Sequence, residues 1–486
     1  MKKIIVAIIC VILATFMLVG CGDSTDKLSN VGGEVYSGNG SFAVEKGDYV
    51  YFINGQKAVT AENKFGEVEK GSLIRVKKSD LANPSGATIE TVIPKLMLSA
   101  SYKTGVFVYG DYVYYATPND EKDKQSNILN NQTVFNRFNL NTGKVDVKEI
   151  AIAEDNTTEY RFIKNGDSVY LTFVKTTTEN DKEVKKLVVY NADNKKLVYE
   201  SFGFEEMLMP EDNSAVVFLT KFDYDEINKT NTLYQHVYKY TVGDSKESNE
   251  PFKNGSPEKL GLLQGATFSL VKNDGKYLIY KQNSLDTTNN NVKYFAYEIS
   301  SNTETMLGYS NVYIDSAITA NSYIKSLNEI YYMDTTTEVG GLVKFDYACK
   351  DMSNGRTPIN KDVKDYTMQF VEGDYFYFSN ADGMYFRCKF DGSDYMQINA
   401  IAMKTATDWY KPRVIGNYFI GIYAGEMYYS YVYVIDMSKV NDEYIEKYSE
   451  DKKEIVEELA NTKIAKMTQE DKDAFNKAFE SKYNKD

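Results

Sequence analysis

The chain has 486 residues and a formal net charge of −13, with 41 Tyr and 25 Phe against 8 Pro and 1 Trp. A surface this acidic repels phosphate backbones, which argues against nucleic acid as a partner. A single histidine and 4 cysteines leave no His-rich metal set and no disulfide framework, and abundant aromatics without helical periodicity point to an all-β protein.

At the N-terminus, Lys2-Lys3 precedes an uncharged apolar run from Ile4 to Val19, and Leu18-Val19-Gly20-Cys21 closes it with small residues before a cysteine. A membrane-spanning helix would need about 20 apolar residues. The pattern resembles a bacterial lipoprotein signal with its lipobox. That resemblance implies a signal peptide over 1–20, cleavage before Cys21, and a diacylglycerol with palmitate-type acyl chains on the Cys21 thiol. Several acyl chains anchor stably where one is marginal. The protein is then expected at the extracytoplasmic face of a bacterial membrane. Loss of residues 1–20, which hold two lysines and no acid, takes the net charge from −13 to −15. Cys349 and Cys388 remain as unmodified thiols, either bonded to each other or buried separately. Residues 21–33 comprise the lipidated cysteine and a polar stretch that reads as a flexible tether.

Residues 34–437 read as worn copies of one unit. The clearest copy opens at Gly373-Asp374 and continues into the aromatic run Tyr375-Phe376-Tyr377-Phe378-Ser379. Asp382-Gly383 turns the chain into Met384 to Phe390, and Asp391-Gly392 leads to Tyr395 to Ile398. With Thr367 to Val371 as a first strand, this is a four-stranded meander of roughly 35 residues, the content of one propeller blade. Earlier copies begin at Gly47-Asp48-Tyr49, Gly110-Asp111-Tyr112, Gly166-Asp167, Asp212-Asn213, Asp274-Gly275 and Leu327-Asn328, and a last one at Gly416-Asn417. The anchors lie 43 to 63 residues apart, close to the roughly 40–50 of propeller repeats with loop insertions in the longer units.

Within the strands, large residues occupy both alternating positions, as in Tyr112 and Tyr114 against Val113 and Tyr115. A sheet buried on one side would alternate apolar with polar instead. Blades packed on both sides by neighbours need doubly apolar strands. The alternative is a β-sandwich or a run of small β-domains. Unit eight has no candidate for a fourth strand, so Glu34-Val35-Tyr36 is expected to pair with it and close the ring. The expected fold is an eight-bladed propeller, with seven blades as the alternative.

The Gly-Asp-Tyr-x-Tyr-Tyr pattern, followed by a strand and Asp-Gly-Ser, resembles the prolow-density-lipoprotein-receptor-like and TolB-like β-propeller domains of bacterial surface lipoproteins. The resemblance spans about 34–437, and only unit seven keeps the full Asp-Gly-Ser. It implies the propeller fold and no shared catalytic motif.

From 438 to 486 the composition shifts to Glu, Lys and Asp. Glu443 to Ala460 fits a helix, and Thr468 with Asp471 opens a second amphipathic stretch. This segment reads as a helical appendage on the propeller or a handle for a partner.

Catalytic chemistry is thinly represented. His236 falls within a strand of unit four and reads as structural. No Gly-x-Ser-x-Gly elbow or P-loop occurs, no catalytic residue is assigned, and no cofactor or metal is expected. Asp382, Asp391 and Asp394 have calcium-ligand chemistry but sit where turns need them. Trp409-Tyr410, between units seven and eight, is the candidate aromatic contact for a protein or glycan ligand. Two functions follow: a non-catalytic binding or scaffolding module, or a propeller enzyme of glycoside hydrolase or lyase type acting on polysaccharide through a carboxylate pair in the channel.

Overall fold

A computed structural model describes residues 36–53, 73–83, 90–93, 105–119, 132–154, 159–212, 214–225, 230–244, 258–259, 266–284, 292–335, 340–348, 355–399, 412–424, 430–443 and 445. They form eight antiparallel sheets, at 36–93, 107–153, 160–200, 207–259, 266–309, 323–360, 367–397 and 413–436, numbered here as blades one to eight. The protein is an eight-bladed β-propeller. Each blade is a meander whose hydrogen-bonded neighbours are nearly always consecutive in the chain. Blade seven has the expected strands: Thr367–Glu372, Tyr375–Ser379, Tyr385–Lys389 and Met396–Gln397.

The turns between first and second strands explain the glycines that mark each unit. Gly110, Gly166, Gly373 and Gly416 have φ between +57 and +60°, while a Cβ placed on any of them would meet nothing within 4 Å. Backbone conformation, not space, requires glycine there.

Alternating residues of one strand enter different cores. In blade two, Val113 and Tyr115 join the cluster of blade one, whereas Tyr114 and Ala116 pack with Tyr160, Phe162 and Leu171 of blade three. In blade four, Val217 and Leu219 face Ile163 and Val189 of blade three, while Phe218 faces Leu278 and Tyr280 of blade five. Blade six sends Ile330 and Tyr332 towards blade five and Tyr331 towards Phe376 of blade seven. Each interface between neighbouring blades is therefore a layer of buried apolar side chains.

The ring closes differently from the sequence expectation. Tyr36 pairs with Lys46 and Ser37 with Glu45, so this strand is an extra member of blade one rather than the fourth strand of blade eight. Glu34 and Val35 lie outside the described residues. Blade eight has three strands among the described residues, Arg413–Ile415, Tyr418–Ala424 and Ser430–Asp436. Closure comes from packing: Ile415 and Ile420 of blade eight are buried in one cluster with Phe42, Val44 and Val50 of blade one.

Short helical elements had no counterpart in the sequence expectation. A short helix, Val312–Ala317, links blades five and six, capped by Asn311, whose Oδ1 accepts from the N–H groups of Tyr313 and Ile314 at 3.0 and 3.1 Å. Its Ile314 and Ala317 join the core between those blades. At the C-terminus, Asp442, Glu443 and Ile445 are helical, and the rest of the expected helices lie outside the described residues. His236 is buried within the third strand of blade four, opposite Lys221.

Two predictions follow from this packing. Ile420→Ala removes a fully buried side chain from the closing interface and should cost about 2–5 kcal/mol in urea unfolding. Starting the chain at Gly38 removes only a two-residue pairing and should cost less; the reverse order would mean that the extra strand, not packing, closes the ring.

The second concerns alkali. Burial, with Asp334 adding to it, pushes the Tyr332 hydroxyl up to about 12 from 10.0, and burial pushes the Cys388 thiol up to about 11 from 9.0. The folded state thus holds these protons more tightly than the unfolded chain does. Their contribution is complete below the unfolded values and is lost as pH rises through the folded ones. The melting temperature should hold to pH 9 and fall steeply by pH 12. Tyr332→Phe should flatten part of that fall, and an unchanged melting temperature up to pH 12 would count against the assignment.

Candidate functional site

First strands lie at the axis and last strands on the rim. Last strands such as Leu197–Glu200 and Thr303–Tyr309 are largely exposed. By contrast, one cleft of about 390 Å³ is lined by Gly38 and Asn39 of blade one, Tyr109 of blade two, Lys164 of blade three, Glu211 and Asp212 of blade four, and Arg413 of blade eight. Only the axis of a ring gathers five blades. Tyr109, Lys164, Glu211 and Asp212 sit beside the turns between first and second strands, while Gly38, Asn39 and Arg413 lie further from their own first turns.

The chain itself fills part of this channel. After pairing with blade one, it runs along the first strand of blade two, Phe107–Tyr109. The Asn39 side chain behaves as a strand residue there, its Nδ2 donating to the Val108 carbonyl at 3.0 Å and its Oδ1 accepting from the Val108 N–H at 2.7 Å. Ser41 then bridges to Val106. Gly38, at φ +85°, lies so close to Arg413 that a Cβ would fall 3.1 Å from its Nε.

Charged groups around the cleft are tied to one another across blades. Lys272 of blade five is buried, and its Nζ donates to both Glu211 carboxylate oxygens at 2.8 and 2.9 Å and to the Ala320 carbonyl at 3.0 Å. Arg413 pairs with Glu372 of blade seven at 3.4 Å. Lys46 reaches the Gly110 carbonyl of blade two, with Asp111 3.8 Å away. Burial pushes the Lys46 ammonium down from its usual range, and Asp111 opposes that shift.

Asp212 lies over the turn of blade five: a Cβ on Gly275, at φ +87°, would collide with its carboxylate. The adjacent Asp274 carboxyl is held above the usual carboxylate range by burial, and Asp212 adds to the rise. Its Oδ1 accepts from the Lys276 and Tyr277 N–H groups at 2.9 and 2.7 Å, which oppose it. Glu211, Asp212 and Asp274 thus gather at the axial mouth, each already bonded to a cation or a turn. Such a cleft can bind polar or charged groups of a small ligand.

The expected site residues are distributed otherwise. Cys21, Cys349, Trp409 and Tyr410 lie outside the described residues. Cys388 is a buried free thiol. Asp391 Oδ1 accepts from the Ser393 hydroxyl and N–H at 2.6 and 2.9 Å, bonds that hold its carboxyl below the usual range. Asp394 accepts from the Tyr375 hydroxyl at 2.6 Å, and the Asp382 N–H donates to Asn380. Asp382 and Asp391 thus serve turns, whereas Asp394 ties its loop to Tyr375 and Arg387. Among the described residues, no group of three or more His, Cys, Asp or Glu side chains is arranged to hold a metal.

Lys164, Glu211, Lys272 and Arg413 were not singled out from the sequence, and Asp212 was read only as the turn anchor of unit four. The available signal was a charged residue just before a unit's opening turn, as in Lys164-Asn165-Gly166 and Lys272-Asn273-Asp274-Gly275.

No protein-family model matches the chain, and no curated protein matches it. Among solved structures it is similar to the computationally designed Ika8 protein, at 9% identity and TM-score 0.38 over 82% of this chain and 98% of that one. It is also similar to the β-propeller domain of the Trilobed protease from Pyrococcus furiosus, at 12% and 0.38 over 73% and 95%. A third is the acylaminoacyl peptidase of Pyrococcus horikoshii, at 11% and 0.38 over 77% and 54%. Likenesses of this degree speak neither for nor against an activity.

Lys272→Met should cost about 1–3 kcal/mol, because it removes bonds joining blade five to its neighbours on both sides. Urea unfolding measures this, and an unchanged midpoint would mean that these bonds add nothing net.

Proposed function

We propose that the protein is a membrane-anchored extracytoplasmic lipoprotein, lipidated on Cys21, whose propeller is a non-catalytic binding or scaffolding module for protein or glycan. We place that propeller with the TolB-like and prolow-density-lipoprotein-receptor-like domains of bacterial surface lipoproteins. Anchoring is supported by the Leu18-Val19-Gly20-Cys21 lipobox. The observation that carries the binding reading is the axis itself. The place where a ring gathers side chains from many blades is partly occupied by residues 38–41, and its acids are bonded to Lys272 or to turn N–H groups. Recognition then falls to the faces and loops, which suits a binder. Trp409 and Tyr410 are its proposed contact pair.

The enzyme reading, a glycoside hydrolase or lyase, rests on Asp274, whose raised carboxyl lies beside Asp212. A carboxyl kept protonated by burial, with a second carboxylate beside it, is the equipment of acid–base glycoside chemistry.

One set of measurements separates these readings. Wild type should incorporate radioactive palmitate and Cys21→Ala should not; equal labelling would remove the anchor. Residues 22–486 should retain a ligand on a glycan array or in a pull-down, and Trp409→Ala should weaken retention without lowering the melting temperature. Polysaccharide hydrolysis that disappears in Asp212→Asn or Asp274→Asn would replace the binder with the enzyme.

A further inference from the structure

Both ends of the propeller leave it on one face. On entry, Tyr36 pairs with Lys46, immediately before the first turn of blade one at Gly47-Asp48. On exit, Asp436 pairs with Tyr418, and the Met437 N–H bonds the Asn417 carbonyl at 2.9 Å, in the first turn of blade eight. These turns share one face, because those of neighbouring blades touch: Lys46 reaches Gly110, Lys272 reaches Glu211, and Asp212 overlies Gly275.

The opposite face carries the hairpins between second and third strands. Among the described residues, the longest paired strands of these hairpins belong to two adjacent blades. Blade three pairs Ser168–Glu179 with Lys182–Asn191 continuously to the Glu179–Lys182 closure, and blade four pairs Val216–Asp225 with Thr230–Thr241. In blade seven, a second strand of five residues suffices. The blade-three hairpin is mostly exposed from Lys175 to Lys185, so it stands clear of the ring as an arm. Its tip is a two-residue turn with Asn180 and Asp181 at φ 51 and 62°, the conformation that continues strand twist without splaying the hairpin.

We propose that the propeller hangs from the membrane by the face on which its chain ends emerge and presents the opposite face, with the arms of blades three and four, away from the lipid. This rests on the lipid-anchored reading above. Residues 22–35 separate Cys21 from the first described strand, a reach of at most about 50 Å. The membrane-side turns carry Asp48, Asp111, Asp167 and Asp374, which anionic headgroups repel within about a Debye length. The tether nonetheless holds the face of the first turns towards the bilayer. The arms then point away from the membrane, towards an approaching partner.

Asp167 and Thr178 allow a direct test, because both are exposed and lie at opposite ends of the second strand of blade three, about 36 Å apart. In a Cys349→Ser background, Asp167→Cys and Thr178→Cys would each carry a donor dye, with circular dichroism checking the fold. The lipidated full chain would be placed on phosphatidylethanolamine–phosphatidylglycerol vesicles containing an acceptor-labelled lipid. Residues 22–486 with an N-terminal histidine tag would be tethered to nickel-chelating vesicles in parallel. Energy transfer should be roughly twofold or more higher from position 167 than from 178 in both formats. Equal or reversed transfer on bound protein would overturn the orientation. A gradient on nickel vesicles, with no vesicle association of the native chain, would support the geometry while removing the lipoprotein reading.

Discussion

Tyr331 of blade six lies against Phe376 of blade seven with ring centroids 4.9 Å apart, while the next residue, Tyr332, is buried against blade five. Successive side chains of a strand point to opposite faces, so a sheet inserted between two others must be apolar at both alternating positions. The aromatic richness of the chain meets that demand, since one Tyr or Phe buries a large area on a short strand. The same constraint makes a separate clasp unnecessary. Phe419 packs towards blade seven and Ile420 towards blade one, so blade eight is held from both sides in the way every other blade is.

Near the axis the packing changes character. First strands converge there, and their turns bring backbone carbonyls and N–H groups of adjacent blades together at low exposure. Such groups need partners. Lys46, Asn39, Asn165 and Asn273 supply them, each bonding a backbone group of a neighbouring segment. Apolar layers therefore stabilise the ring, while polar ties at one end set how consecutive blades align. Tyr109 shows both roles at once: its ring is buried against blade three, and its hydroxyl donates to the Phe162 carbonyl at 2.9 Å.

Blade architecture was legible because it is local. Gly373-Asp374, the aromatic run after it and Asp382-Gly383 each carry their own backbone chemistry, and the observed strands follow them within a residue or two. The partner of Tyr36 was not legible. Period-two patterning identifies a strand but does not say which edge receives it, and the pairing with Lys46 depends on where the turn at 38–42 sends the chain. The helix Val312–Ala317 escaped notice because six residues give hardly two turns of periodicity, and its Asn311 cap resembles any loop asparagine. The axial cleft is illegible for another reason. Lys164, Asp212 and Arg413 are far apart in sequence, and only ring closure brings them to one cleft.

Strand parity connects the fold to the direction in which the chain leaves it. A four-stranded meander returns the chain to the end at which it started. Eight identical blades would therefore begin and finish on the face opposite the first turns. Adding Tyr36–Ser37 ahead of blade one reverses the entry, and ending blade eight's described strands at Asp436 reverses the exit. The strand gained by the first blade and the one absent among the described residues of the last thus have a joint consequence. Both ends of the described ring therefore lie on the face of the first turns, opposite the long hairpins of blades three and four.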